Sequence, residues 1–161
     1  MKKGGTRREA RQRAFQTLYG LTFPTGHSSE GLQQVFTDSP AFTDPENAKA
    51  KAPELPEKDQ SFAWELVRGV YGSLEELDKA VGSFSQHWKV GRIARIELTI
   101  LRLALFEMLH MPDIPLKVSI NEAIELAKQF GDHNSPNFVN GILDAAARSV
   151  EKGDFGVRKN I

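Results

Sequence analysis

Cysteine is absent, which excludes a thiol nucleophile, a redox dithiol, a disulfide framework and any cysteine-ligated zinc or iron–sulfur site. No stretch of about 18 apolar residues exists, so the sequence offers no membrane-spanning helix. Residues 1–13 are too polar for a signal peptide, and no apolar run follows Arg7-Arg8 as a twin-arginine signal requires. These absences point to a soluble cytoplasmic protein. Catalytic patterns are equally scarce. His27, His87, His110 and His133 are scattered without the i, i+4 spacing that holds a metal, and no serine sits in a nucleophile elbow. Gly26 and Gly31 have P-loop spacing, but Leu32-Gln33 follows in place of Lys-Ser/Thr. The expectation is a protein that is not an enzyme and carries no metal or cofactor.

Net charge is also absent, since 21 Lys and Arg balance 21 Asp and Glu. The balance hides an asymmetry. Residues 1–13 hold Lys2, Lys3, Arg7, Arg8, Arg11 and Arg13 against Glu9 alone, so a net +5 arm precedes a body of −5. Such an arm suits a polyanion bound at one end of the molecule, or it is an inert solvated tail.

What remains is 161 residues with helical apolar spacing nearly throughout, enough for a single domain over 1–161 that buries roughly 70% of its unfolded surface. A first helix starts at Thr6, where Thr6-Arg7-Arg8-Glu9 fits a capping box and Ala10, Ala14, Leu18 and Leu21 form one stripe. Leu32, Val35 and Phe36 face inward from a short second helix, and residues 37–58 read as a loop excursion. Phe62, Leu66, Val67 and Val70 share a face of a helix closed by Gly72. Ser73-Leu74-Glu75-Glu76 reads as a second capping box, opening a helix with Leu74, Leu77, Val81 and Phe84 inside. The most apolar stretch follows: Ile96, Ile100 and Leu103 make one stripe, and Leu98, Leu101, Leu105 and Met108 make another. Two stripes place that helix at the centre of a bundle. Ser119-Ile120-Asn121-Glu122 reads as the cap of the next helix, which Gly131 stops. Ser135-Pro136 opens a last helix through Val150, with 151–161 as a tail. Gly141 inside that last helix costs about 1 kcal/mol relative to alanine, which close approach of a neighbouring helix would explain. No strand pattern competes, and the expected fold is all-α.

The first helix breaks a local rule. Arg7 and Arg8 occupy its first turn, where the helix dipole disfavours cations by about 0.3–1 kcal/mol each. At about 100° per residue, Arg7 and Arg11 fall on one side, Arg8 lies toward Phe15 and Tyr19, and Arg13 points away. Guanidinium groups beside exposed aromatics suit single-stranded RNA, whose phosphates are neutralised and whose bases stack. The loop Gly131–Asn137 offers a further phosphate contact through its amides.

The run from Pro115 through Ser119-Ile120-Asn121-Glu122-Ala123-Ile124-Glu125-Leu126-Ala127 to Gly131, followed by Phe138-Val139-Asn140-Gly141-Ile142-Leu143-Asp144, resembles the NusB family of transcription antitermination factors. Residues 6–23 look like that family's opening helix, and Ile96 to Leu109 is similar to its central helix. The resemblance implies about seven helices in two three-helix subdomains sharing a core. It implies binding of boxA-type RNA together with NusE, a small-subunit ribosomal protein, within an antitermination complex with RNA polymerase. It also implies RNA contacts from Lys3, Arg7, Arg8 and Arg11 and from the aromatic Tyr19 and Phe138, though Phe138 reads equally well as a core residue. One departure is Leu74-Glu75-Glu76-Leu77, where family members carry an aromatic near the RNA. Two other readings stay open at this point. One is a protein-interaction adaptor with an inert basic arm. The other is the RNA-positioning domain of an rRNA methyltransferase, against which only about 11 residues follow Val150. Monomer and homodimer are both compatible with the sequence.

Overall fold

A computed structural model of the chain describes residues 6–21, 28–38, 55–85, 89–157 and 159. Among them are seven α-helices and no strand: α1 (Thr6–Tyr19), α2 (Ser29–Asp38), α3 (Glu57–Gly72), α4 (Leu74–Phe84), α5 (Arg95–His110), α6 (Leu116–Phe130) and α7 (Ser135–Glu151). A 3-10 turn, Val90–Arg92, precedes α5. The chain divides into two units, residues 1–71 with α1–α3 and residues 72–161 with α4–α7.

In the first unit, the expected stripe is realised by Ala10 and Ala14, which are fully buried, and by Leu21. Small residues let α1 lie close to its neighbours, and three larger contacts tie the unit together. Arg13 places its guanidinium 4.6 Å from the Phe36 ring and donates to the Phe36 carbonyl at 3.0 Å, joining α1 to α2. Phe36 in turn meets Trp64 of α3 at 5.5 Å. Leu32 and Phe36 from α2 and Phe62, Leu66, Val67 and Val70 from α3 complete the core. Helix α2 runs to Asp38 and α3 starts at Glu57, so the two ends of the segment expected as a loop over 37–58 are helical. Residues 39–54 of that segment lie outside the described residues, and so does the Thr6 side chain expected to cap α1.

The second unit is organised around α5, which packs on α4, α6 and α7. Every residue from Leu98 to Leu109 except Arg102 is buried. Arg102 leaves the core through a bidentate pair with Asp78 of α4, at 2.7 and 2.9 Å. Glu107 is the charged residue buried within α5, only 2% exposed, and accepts a 3.1 Å bond from Ser119 of α6. The described residues after Val150 return to the second unit. Gly153, at φ +87°, turns the chain, Phe155 meets Phe84 of α4 at 6.0 Å, and buried Lys159 donates to the Glu107 carbonyl at 2.7 Å. A lysine here supplies a donor to one of the last carbonyls of α5, where the helix dipole favours a cation.

Burial lowers the Lys159 pKa below its ordinary value of 10.5, partly offset by the charges of Glu107 and Asp113. A folded-state pKa below the unfolded one means that the unfolded chain binds more protons between the two values. Stability from this group therefore rises with pH across that alkaline window. Urea unfolding midpoints measured through that window are expected to rise for the wild type relative to Lys159→Met.

The helix starts differ from the local cap patterns. Ser73 stands at the N-cap of α4 but makes no side-chain cap bond. Ser119 does not open α6: the helix begins at Leu116 after Pro115, and the Ser119 hydroxyl is spent on Glu107. Helix α7 includes Ser135, with Asn134 at the N-cap and Pro136 in the first turn. Gly131 is required by packing, because a Cβ there would overlap the Ser135 side chain. Gly141 is the reverse. It is exposed, and a Cβ added there meets nothing within 4 Å, so no neighbouring helix among the described residues explains it. Gly141→Ala is expected to stabilise the protein by up to about 1 kcal/mol, read as a shift in the urea midpoint.

Candidate nucleic-acid interface

Helix α1 sorts its four arginines by depth. Arg7 and Arg8 are exposed, whereas Arg11 is only 4% exposed. Arg7 and Arg11 both lie over the same ring, with guanidinium carbons 4.2 and 5.2 Å from the centroid of Phe62 on α3. Their separation of about 40° on the helix thus places them one turn apart above one aromatic. Phe62 itself is buried, so the pair forms a cationic cover on the core. Arg11 is therefore part of the packing, where the sequence groups it with the ligand-facing cations. Arg13, which helical geometry points away from the other arginines, is clamped on Phe36.

The aromatic residues of α1 also separate. Phe15 is 2% exposed and belongs to the core, not to an exposed flank beside Arg8. Tyr19, one turn later, is 36% exposed and stacks on Phe15 with ring centroids 5.6 Å apart and planes inclined by 7°. The buried ring backs the exposed one and holds its orientation. Lys3 lies outside the described residues.

Phe138 is on the second unit, in the first turn of α7, and is half-buried. It lines a cleft of about 200 Å³ with Arg92, Glu97, Asp132, Asn134 and Ser135. The Ser135 hydroxyl donates to Glu97 Oε1 at 2.6 Å and accepts from the Asp132 amide at 3.0 Å. The Asn134 amide donates to Asp132 Oδ1 at 2.8 Å, and the Ser135 amide to the Asp132 carbonyl at 3.1 Å. Three amides of the loop before α7 are thus satisfied within the loop, with a carboxylate among them. That replaces the expected phosphate contact, because the donors a phosphate needs already have acceptors. Glu97 is a residue that sequence reasoning misses. Its only local signal is a carboxylate in the first turn of an otherwise apolar helix, which reads as ordinary dipole compensation.

Chemically, the first unit presents guanidinium groups at an exposed helix start and a backed tyrosine ring. The second presents a half-buried ring in a polar cleft. Both combinations suit phosphates and unpaired bases.

The sequence model of the NusB family matches residues 8–148. The transcription antitermination protein NusB of Nitratidesulfovibrio vulgaris strain Miyazaki F is 50% identical over 153 residues, covering 94% of this chain and 93% of that protein. The protein of the same description from Geobacter sulfurreducens is 42% identical over 150 residues, covering 92% of this chain and 99% of the relative. Among solved structures, NusB of T. maritima superposes with a TM-score of 0.72 at 32% identity, covering 92% of this chain and 93% of that one. A structure of antitermination factors NusB and NusE in complex with double-stranded RNA matches with a TM-score of 0.68 at 23% identity, covering 91% and 98%, and shares the fold.

Proposed function

The chain belongs to the NusB family, and from that premise we propose that it is a transcription antitermination factor that binds boxA-type single-stranded RNA together with NusE. It acts by binding rather than by catalysis, in the cytoplasm, as part of an antitermination complex with RNA polymerase. The observation that carries the RNA reading is the exposed pair Arg7 and Arg8 in the first turn of α1. Cations there work against the helix dipole, and a rule broken at an exposed position marks a functional site. Lys3, Arg7 and Arg8 neutralise phosphates, and Tyr19 and Phe138 supply stacking faces. Arg11 positions Arg7 by sharing the Phe62 ring, so its contribution to RNA is indirect.

Titration of the purified protein against a boxA-like RNA, with and without NusE, tests this reading. NusE is expected to tighten binding, because two surfaces on one strand share a single association cost. Equal affinity in both arms leaves a stand-alone RNA binder. Absence of RNA binding in both arms overturns the proposal in favour of an adaptor with an inert arm.

A further inference from the structure

Two polar groups near one ring of the first unit are left unmatched. Asp59 stands in the first turn of α3 and is only 2% exposed, and its Oδ1 is buried without a hydrogen-bond partner among the described residues. A buried acceptor without a donor is unfavourable, so native structures leave few of them unexplained. Phe62 follows one turn later, and residues three apart on a helix are neighbours with Cβ atoms about 5–6 Å apart. A donor already lies over that ring. The guanidinium carbon of Arg7 is 4.2 Å from the Phe62 centroid, and a cation–ring contact by itself requires none of the five N–H donors. No described residue accepts a hydrogen bond from them.

We propose that Asp59 is a positioning residue for Arg7: the guanidinium exchanges between an ion pair with the Asp59 carboxylate and a phosphate of the bound strand. This rests on the RNA-binding reading above and adds an internal competitor to it. Arg11 shares the ring at 5.2 Å but is only 4% exposed, whereas Arg7 is exposed, so Arg7 is the one with room to swing between interior and solvent. Carboxylate and phosphate both present paired oxygens to the fork of an arginine, which is why one replaces the other. A carboxylate placed in this way lowers RNA affinity by the fraction of molecules in which Arg7 is available. It is also a negative charge near the strand, and that repulsion acts whether or not Arg7 is present. A double-mutant cycle separates the two effects.

The test titrates the full chain, Arg7→Ala, Asp59→Asn and the double variant with a fluorescein-labelled boxA-like RNA at fixed salt, read by anisotropy. Asp59→Asn is expected to tighten binding by about threefold, the gain when Arg7 passes from about one-third available to fully available. In the Arg7→Ala background that gain is expected to vanish, because no guanidinium remains to be released. An equal gain in both backgrounds is repulsion of the strand through space and overturns the pairing. So does a folded Asp59→Asn that binds no more tightly than the parent. Carboxyl carbon-13 NMR gives a readout that needs no change at Asp59. Its side-chain resonance is expected to move in Arg7→Ala without RNA, and to move the same way in the parent when RNA is added. A resonance unmoved by Arg7→Ala overturns the pairing. If the parent binds no RNA, the RNA-binding reading falls and the exchange with it, whereas the shift in Arg7→Ala still decides the ion pair.

Discussion

Replacing Arg7 and Arg8 together with alanine is expected to weaken single-stranded RNA binding by at least about tenfold at about 0.1 M salt and to flatten its salt dependence by about 1.4 log units. The slope follows from roughly 0.7 for each phosphate that a single strand no longer has neutralised, taken for two phosphates. Folding stability should change little. Arg7 gives up its position over Phe62, worth about 0.5–1 kcal/mol at an exposed site, but a cation leaves the positive end of α1 and alanine is the better helix former. Arg13→Ala is the informative comparison. It removes the clamp on Phe36, ring and carbonyl alike, so it should lower the urea midpoint by the equivalent of about 1–3 kcal/mol. At temperatures where that variant remains folded, its RNA affinity should match the parent. An RNA defect in folded Arg13→Ala as large as in the double variant would mean diffuse attraction to a basic arm, and the assignment of Arg7 and Arg8 would be lost.

Glu107→Ala is expected to destabilise the protein by about 3–5 kcal/mol, because it removes one partner from a buried charged group. The Ser119 hydroxyl loses its acceptor, and the buried ammonium of Lys159 loses the larger of its compensating charges. Glu107→Gln should cost less, since the amide still accepts from Ser119. The double variant Glu107→Ala with Lys159→Met should recover part of the loss, because the unpaired cation is gone. Urea unfolding of the four proteins closes a cycle for the pair. If the double variant shows simple additivity, Lys159 and Glu107 act independently and the backbone bond at 2.7 Å is the whole of their connection.

Helix α5 is legible in the sequence because its signal is local. Two apolar stripes on one helix leave no face for water, and residues Leu98 to Leu109 are buried apart from Arg102. The same periodicity places Phe62, Leu66, Val67 and Val70 inside. The polar members of the core are not legible, because their partners are distant in sequence. Glu107 is answered by Ser119, 12 residues on, and its carbonyl by Lys159, 52 residues on. Ser119 looks like a cap because Ser-x-x-Glu is a local pattern, yet Pro115 starts α6 a turn earlier and releases the hydroxyl for another use. The helical wheel separates Arg13 from the other arginines, but not what it meets there, because Phe36 comes from α2. Of the candidate interface, Arg7, Arg8 and Tyr19 are readable as charge and aromatic exposure on a helix start. Burial of Arg11 and Phe15 depends on what the neighbouring helices bring to α1.

The burial of α5 has a consequence for how the protein is made. Its covering helices α6 and α7 follow it in the chain, and α7 ends at Glu151, about 41 residues after His110. At roughly 5–20 residues per second of synthesis, the ribosome needs about 2–8 s to supply that cover. During this interval the nascent chain carries an almost uninterrupted greasy segment that α6 and α7 do not yet cover. Vectorial synthesis therefore leaves α5 without most of its native cover until α6 and α7 have followed it.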